Sequence, residues 1–289
     1  MTVPDPHAVL RALGMVNVVA VTPLASNRGK GVWRVEGPDG VFALRVLRAH
    51  EHTTADRERS AMDAALSAGL EVPDVRAIGE WENHPAMLLS WCPGRTVQAE
   101  LHVRPWAAYR LGLECGRWQA ALHRVHADAA IESWVDYFGV VDPSMRERLL
   151  RVSQATPRLL HLDYHLQNIV VRAGVVTGVV DWTNATSGDP RADVARTWAL
   201  LSVFPGSRTL AARVGAAVRH VFAAGWQRGY ANLAGRQTDM PLFRAWALVG
   251  LLSRARRGTE GSGKRHDLFP LQALASHWRA RAGLPREAV

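Results

Sequence analysis

The sequence predicts an α+β protein of two lobes, an antiparallel-sheet N-terminal lobe and a mainly helical C-terminal lobe. Three observations predict it. Runs with strand character collect before residue 92. Turn signals rich in glycine, proline and asparagine separate those runs. After Pro93-Gly94 the chain reads mostly as helix. The Pro93-Gly94 break sets the expected boundary, giving lobes of residues 1–92 and 93–289.

The elements follow in order. Asp5 to Gly14 reads as a short helix, capped by Asp5 and stopped by Gly14. Asn17 to Leu24 is β-branched, and Ser26 to Gly31 is a turn-rich loop. Val32 to Glu36 and Val41 to Leu47 are strand-like, with Gly37-Pro38-Asp39-Gly40 as the turn between them. Together they predict a three-stranded antiparallel meander. Thr54 to Leu66 reads as a helix, because Met62 and Leu66 fall one turn apart on one face. Val72-Pro73 restarts an extended segment, and Ala86 to Trp91 is an apolar strand. Beyond the break, Thr96 caps one helix and Pro105 opens a longer one reaching His126. Leu159 to Leu162, Ile169 to Arg172 and Val175 to Val180 are short β runs. Asp189 to Phe204, Ser207 to Leu233 and Thr238 to Arg256 read as helices, Gly258 to Gly263 as a loop, and a last helix starts near Asp267.

The composition is globular: 289 residues, 48% hydrophobic and 21% charged. It excludes a disordered chain, and the longest clean apolar stretch, near Ala245 to Leu252, is far short of the roughly 20 residues a membrane span needs. Two cysteines, Cys92 and Cys115, exclude a disulfide framework and favour a reducing compartment. The first residues show no signal-peptide pattern, so a cytoplasmic location is expected.

Charge is unevenly spread. Residues 1–196 hold 21 Lys+Arg against 22 Asp+Glu, whereas residues 197–289 hold 14 against 4. A basic surplus of this kind serves an anionic partner or is a solvated surface. No zinc-ligand pattern or aromatic RNA-binding motif supports a nucleic acid partner. Only two lysines occur among the 35 basic residues, so arginine fills almost every basic position.

The sharpest motif is His161-Leu162-Asp163-Tyr164-His165-Leu166-Gln167-Asn168. It fits H-x-D-x-x-x-x-N, in which a carboxylate orients an acceptor hydroxyl and takes its proton. An amide oxygen five residues on ligates Mg²⁺. Alone, such a pattern also arises in ordinary turns. It is followed by Gly178-Val179-Val180-Asp181-Trp182, the end of a β run that delivers a second carboxylate at its tip. One carboxylate, one amide oxygen and phosphate oxygens suit a hard cation such as Mg²⁺.

These blocks resemble the aminoglycoside phosphotransferase family, the small-molecule branch of the protein-kinase-like fold. H-L-D-Y-H-L-Q-N is similar to its H-G-D-x-H-x-x-N. V-D-W-T-N-A-T-S-G-D-P-R-A-D-V-A is similar to its I-D-W…G-D-P…D-x-A block. The resemblance spans Val18 to Leu201 and is weakest over the last 90 residues. It implies a two-lobed kinase-like fold whose first lobe binds nucleotide and whose second carries the catalytic and acceptor sites. It implies that Asp163 is the catalytic carboxylate and that Asn168 and Asp181 are metal ligands. Asp193 and His161 would then support the catalytic loop, while His165 matches the family's second histidine. Leu162 departs from the pattern, standing where the family has glycine.

In the N-terminal lobe, Phe42-Ala43-Leu44-Arg45 takes the place of the kinase V-A-I-K strand. Arg45 stands where lysine contacts the α- and β-phosphates, with Glu58 on the next helix as its expected ion-pair partner. Arginine keeps the charge but is longer and forked, so the two are not equivalent. Gly29, Lys30 and Gly31 lie in the loop between the first two strands, which reads either as a backbone N–H cradle for phosphates or as a surface turn. Ser90, Trp91 and Cys92 occupy the hinge that offers hydrogen bonds to adenine, with Ala43, Met87, Val170 and Val180 as walls.

The resemblance thus implies an ATP-dependent, Mg²⁺-assisted transfer of the γ-phosphoryl group to a hydroxyl of an antibiotic, sugar or metabolite alcohol. The basic last third favours a neutral or anionic acceptor over a polycationic one. No activation segment ending in A-P-E follows Asp181, which disfavours a protein substrate. The rival readings are a catalytically silent nucleotide-binding module, motivated by Arg45 and the incomplete glycine loop, and a binding protein that uses the basic third.

Overall fold

A computed structural model describes residues 4–24, 31–127, 134–135, 142–153, 156–203, 209–262 and 268–285, with backbone alone for 258–262. The N-terminal region is built on a five-stranded antiparallel sheet. Its strands are β1 (Ala20–Pro23), β2 (Gly31–Gly37), β3 (Gly40–Val46), β4 (Val75–Trp81) and β5 (His84–Ser90), in the order β1-β2-β3-β5-β4.

Strand alternation sorts the two faces of this sheet. Leu44 and Val46 of β3, with Trp33 and Val35 of β2, pack against Val9 and Leu10 of helix α1 (Pro6–Ala12). Arg45 therefore points to the other face, where it pairs across the sheet with Met87. Helix α2 (His52–Ser67) covers that face. Its buried residues Ala55, Glu58, Ala61, Met62 and Ala65 recur at helical spacing. This register brings Glu58 inward among apolar neighbours and opposite Arg45.

The rest of the chain is mainly helical. After β6 (Arg95–Thr96) come α3 (Val97–Val103), α4 (Ala108–Leu122) and α5 (Pro143–Val152). Strands β7 (Arg158–Leu160), β8 (Ile169–Arg172), β9 (Val175–Val179) and β10 (Thr186–Gly188) follow. Helices α6 (Pro190–Ser202), α7 (Leu210–Ala234), α8 (Met240–Ser262) and α9 (Phe269–Arg281) complete the described chain. The β8–β9 hairpin turns at Ala173-Gly174, both at positive φ, and β6 joins its edge. β7 pairs with β10, so the segment before the His161–Asn168 motif is tied to the segment after Trp182. None of the described helices is long and apolar enough to cross a membrane.

α4 and α7 run in the same direction and meet backbone to backbone. A Cβ at Gly112 would lie 2.2 Å from the Phe222 carbonyl oxygen, and one at Gly116 2.1 Å from that of Trp226. Gly225 and Gly229 face the Tyr109 and Leu113 carbonyls just as closely, at 2.2 and 2.1 Å. Four glycines, two on each helix at a spacing of four, set this seam.

Several elements differ from the sequence expectation. The sheet has five strands rather than a three-stranded meander with one added strand. β4 escapes a pattern search because none of its residues is buried and Gly79 interrupts it. The helix opened by Pro105 begins as a 3-10 turn over Pro105–Ala107 and ends at Leu122, four residues short of His126. α5, β6 and β10 were not expected. Over the expected loop at Gly258 to Gly263, α8 continues to Ser262, and Gly263 lies outside the described residues. A single glycine costs a helix only about 1 kcal/mol, and propagation of a formed helix absorbs that.

Candidate active site

β7 carries the chain into Leu160, and the motif turns out of it. Asp193, on the first turn of α6, is fully buried and holds this turn from below. Its Oδ1 accepts the Leu162 N–H at 2.8 Å, and its Oδ2 accepts the His161 N–H at 3.2 Å. His123 Nε2 donates to the same Oδ2 at 3.0 Å. Burial alone would raise this carboxyl, but the His123 hydrogen bond and the neighbouring His123 and His161 hold it below the usual carboxylate range.

Leu162 sits at φ 55°, which explains the glycine of the family pattern at this position. A left-handed non-glycine residue costs about 1–2 kcal/mol. Here the side chain is fully buried in the C-terminal core, its N–H is held by Asp193, and Arg196 Nε donates to its carbonyl at 3.2 Å.

His161 is also fully buried, and its two ring nitrogens have distinct jobs. Nδ1 accepts the Asp163 N–H at 3.2 Å, which leaves Nε2 to donate to the Val180 carbonyl at 3.2 Å. It therefore pins Asp163 on one side and the residue before Asp181 on the other. Asn168 makes a second link. Its Nδ2 donates to the Asp163 carbonyl at 3.0 Å and, more weakly, to Asp163 Oδ2 at 3.4 Å, and its own carbonyl accepts the Val180 N–H at 2.9 Å. Asp163, Asn168 and Asp181 are thus gathered by one backbone and histidine framework.

Asp181 lies two residues past β9 in the left-handed region, φ 64°, and its carboxylate is the most open of the three. Arg45 reaches it from the N-terminal sheet. Nη1 of Arg45 donates to Glu58 Oε2 at 2.6 Å, and Nη2 to Asp181 Oδ1 at 3.1 Å and Thr183 Oγ1 at 2.5 Å. Burial opposes the Arg45 charge, but Glu58 and Asp181 more than offset it. Arg57 adds a link to the Thr183 carbonyl at 2.8 Å. The N-terminal and C-terminal regions therefore meet at the guanidinium of Arg45.

His165 stands beside Asp163, with Nε2 3.7 Å from Oδ2. Its Nδ1 accepts the Gln167 N–H at 3.2 Å, and burial holds the imidazole below its usual value. A neutral ring with its proton on Nε2 faces the carboxylate.

The remaining expected site residues divide. Gly29 and Lys30 lie outside the described residues. Gly31 opens β2, where a Cβ would lie 2.0 Å from the Trp33 ring, so packing already accounts for the glycine there. Ser90 bonds its N–H to the Asp74 carbonyl at 2.8 Å and accepts the Asp74 N–H on its hydroxyl at 2.9 Å. The Trp91 N–H goes to the Val41 carbonyl at 3.2 Å. Two of the three expected hinge donors are thus spent within the sheet, and Cys92 is the first residue past them. The Cys92 thiol packs against β9, since a Cβ at Gly178 would lie 2.2 Å from its Sγ, and burial pushes it up to about 11. Of the expected walls, Met87 is fully buried core and Val170 nearly so, whereas Ala43 and Val180 are half-buried.

Sequence reasoning missed the support behind Asp193. Tyr230 Oη donates to His123 Nδ1 at 2.7 Å. Trp226 Nε1 donates to Gln119 Oε1 at 2.7 Å, and Gln119 Nε2 donates to Thr197 Oγ1 at 2.9 Å. These residues come from α4, α6 and α7, so no local spacing announces them. Thr183 was within reach of the sequence, two residues after Asp181.

The phosphotransferase enzyme family profile matches residues 20–143 and 141–235. A search by sequence against curated proteins gives no match. Among solved structures, the chain is similar to aminoglycoside phosphotransferase APH(4)-Ia, with TM-score 0.68 and 16% identity over 96% of this chain and 97% of that one. It is similar to ADP-bound aminoglycoside phosphotransferase APH(2'')-Ib, with TM-score 0.59 and 14% identity over 98% and 100% of the two chains. It is also similar to macrolide 2'-phosphotransferase MphH from Brachybacterium faecium, with TM-score 0.55 and 21% identity over 97% of each. At these identities the likeness is one of fold, and it fits the antiparallel sheet, the helical C-terminal region and the loop that joins them. With the profile spanning most of its length, the chain belongs to the phosphotransferase enzyme family.

Proposed function

We propose that the protein is an ATP-dependent kinase of small hydroxyl compounds that works in the cytoplasm, with its lobes divided between residues 92 and 93. The observation that carries this reading is the meeting of Asp163, Asn168, Asp181 and the Arg45–Glu58 pair around one junction. Neighbours of the same fold include complexes with ADP and AMP-PNP. In this reading Asp163 accepts a hydrogen bond from the acceptor hydroxyl. The acceptor oxygen forms a bond to the γ-phosphorus, the bond from that phosphorus to the bridging oxygen of ADP breaks, and the hydroxyl proton passes to Asp163. His161, by holding the Asp163 backbone, fixes the carboxylate in place. Arg45 offers its charge to the phosphates, and the Cys92 backbone is the hinge contact for adenine.

The donor set suits Mg²⁺. Nδ2 of Asn168 is committed to Asp163, so its Oδ1 and the Asp181 carboxylate are the hard oxygen donors that would hold the ion. When bound, Mg²⁺ neutralises charge on the phosphates. The reading favours a neutral or anionic acceptor. ADP release measured across a panel of hydroxyl compounds, with Mg²⁺ present and omitted, tests it. Acceptor-dependent, Mg²⁺-dependent ADP release is expected, and ADP formation that no hydroxyl compound stimulates would refute it.

A further inference from the structure

Beside the catalytic motif lies a groove of about 850 Å³, within the range of about 300–1,000 Å³ that small-molecule sites occupy. Its floor is His165, Leu166 and Gln167, so it opens next to Asp163. One wall is α3, through Gln98, Leu101 and His102. The other is the end of α6 and the first three turns of α7. On α7, Leu210, Val214 and Val218 recur every four residues and form one apolar stripe along the groove. Leu210 is 77% exposed and Val214 54%, unusual values for such side chains on a helix that packs elsewhere through glycines.

The polar part of the lining is as informative. It consists of Gln98, His102, His165, Gln167 and Arg219, and no carboxylate lines the groove among the described residues. Glu100, on the same wall helix, is engaged by Arg104 at 3.1 Å. Among the described residues, a polycation entering here would meet mostly apolar and uncharged polar surface, with Asp163 nearby to receive charge. Desolvating ammonium groups without partners is costly.

We propose that this groove seats the acceptor, and that the acceptor is a bulky, largely apolar alcohol that is uncharged or anionic. The inference rests on the reading of Asp163 as the group that faces the acceptor, and it adds the chemical class. Burial of an apolar face against Leu101, Leu201, Leu210, Val214 and Val218 supplies the affinity. Gln98 and Gln167 orient hydroxyls.

The test is titration calorimetry on the full chain with Mg²⁺ and AMP-PNP. The probes are cholate below its micellar concentration (an apolar trihydroxy anion), glucose and kanamycin. Cholate is expected to bind about tenfold or more tightly than kanamycin, a difference of about 1.4 kcal/mol, with glucose weakest. Val214→Asp puts a carboxylate at an exposed helix position on the wall. It is expected to weaken cholate about tenfold and to tighten kanamycin, while AMP-PNP binds as before. Kanamycin binding more tightly than cholate, or cholate binding that Val214→Asp leaves unchanged, overturns the inference. AMP-PNP binding that Asp181→Asn weakens keeps the kinase reading standing in either case. Failure of AMP-PNP to bind overturns the kinase reading and, with it, the acceptor class.

Discussion

Replacing Asp193 by asparagine tests the claim that the catalytic loop is held from beneath by one buried carboxylate. The carboxylate accepts three hydrogen bonds, from the Leu162 N–H, the His161 N–H and His123 Nε2. Asparagine has one oxygen. If that oxygen keeps the Leu162 N–H, the amide NH₂ confronts two donors. His123 can relieve one clash by moving its proton to Nδ1, facing Tyr230, and accepting on Nε2. The His161 N–H is still left unpaired, at a cost of about 1–3 kcal/mol for a buried donor. Loss of the charge that the other bonds rely on adds about 1 kcal/mol more. The expected destabilisation is about 2–4 kcal/mol, read from urea unfolding of both proteins. kcat should fall as well, because the same N–H groups position His161 and, through it, Asp163. The wild-type protein carries a matching pH signature. The folded carboxyl lies below its unfolded value of 3.8, so its contribution is complete above that value and is lost as pH falls through the folded value. The Asp193→Asn variant should therefore lose less stability than wild type on acidification below about pH 4. A loss under about 0.5 kcal/mol, well below that of any buried unpaired donor, together with unchanged kcat, would refute the argument.

Further outcomes follow from the same geometry. Asp163→Ala should lower transfer about 100- to 10,000-fold while AMP-PNP affinity stays near wild type; steady-state kinetics and calorimetry check the two halves. Asp181→Asn should weaken Mg²⁺-dependent nucleotide binding more than Asp163→Ala does, since it removes a charged oxygen ligand. Titration of Mg²⁺ against nucleotide affinity in both variants decides this. Gly116→Ala should destabilise by about 1–3 kcal/mol, because its methyl group would lie 2.1 Å from the Trp226 carbonyl oxygen, and that oxygen belongs to backbone. Its melting temperature is the measurement, and an unchanged one would contradict the close seam.

Much of the candidate site was legible because it is local. His161, Asp163 and Asn168 fall within eight residues and Asp181 soon after, so their spacing survives in the sequence. The Arg45–Glu58 contact was legible for another reason: Phe42-Ala43-Leu44-Arg45 and the helix after it resemble the strand and helix that carry the kinase Lys–Glu pair. What stayed hidden was assembled from distant segments. His123, Gln119, Trp226 and Tyr230 converge on Asp193 and Thr197 across as many as 107 residues of chain, and each is an unremarkable residue within or at the end of a helix. β4 was hidden because a strand without buried residues leaves little alternation to read. The positive φ of Leu162 was hidden because its identity argues against it; only the tertiary contacts of its N–H and carbonyl make it tenable.

The four-glycine contact of α4 and α7 divides α7 into two parts with different freedom to change. From Phe222 to Tyr230 the helix lies against α4 with no room for a methyl group at Gly225 or Gly229, and Trp226 and Tyr230 there reach Gln119 and His123. From Leu210 to Arg219 it touches the groove instead, with open side chains and a glycine at 215 whose Cβ position meets only the end of Arg219. If the groove seats the acceptor as proposed, substitutions in the first three turns change the compound recognised while the anchored half stays in place against α4. A mutational library confined to residues 210–219 is the place where new acceptors should arise without loss of folding.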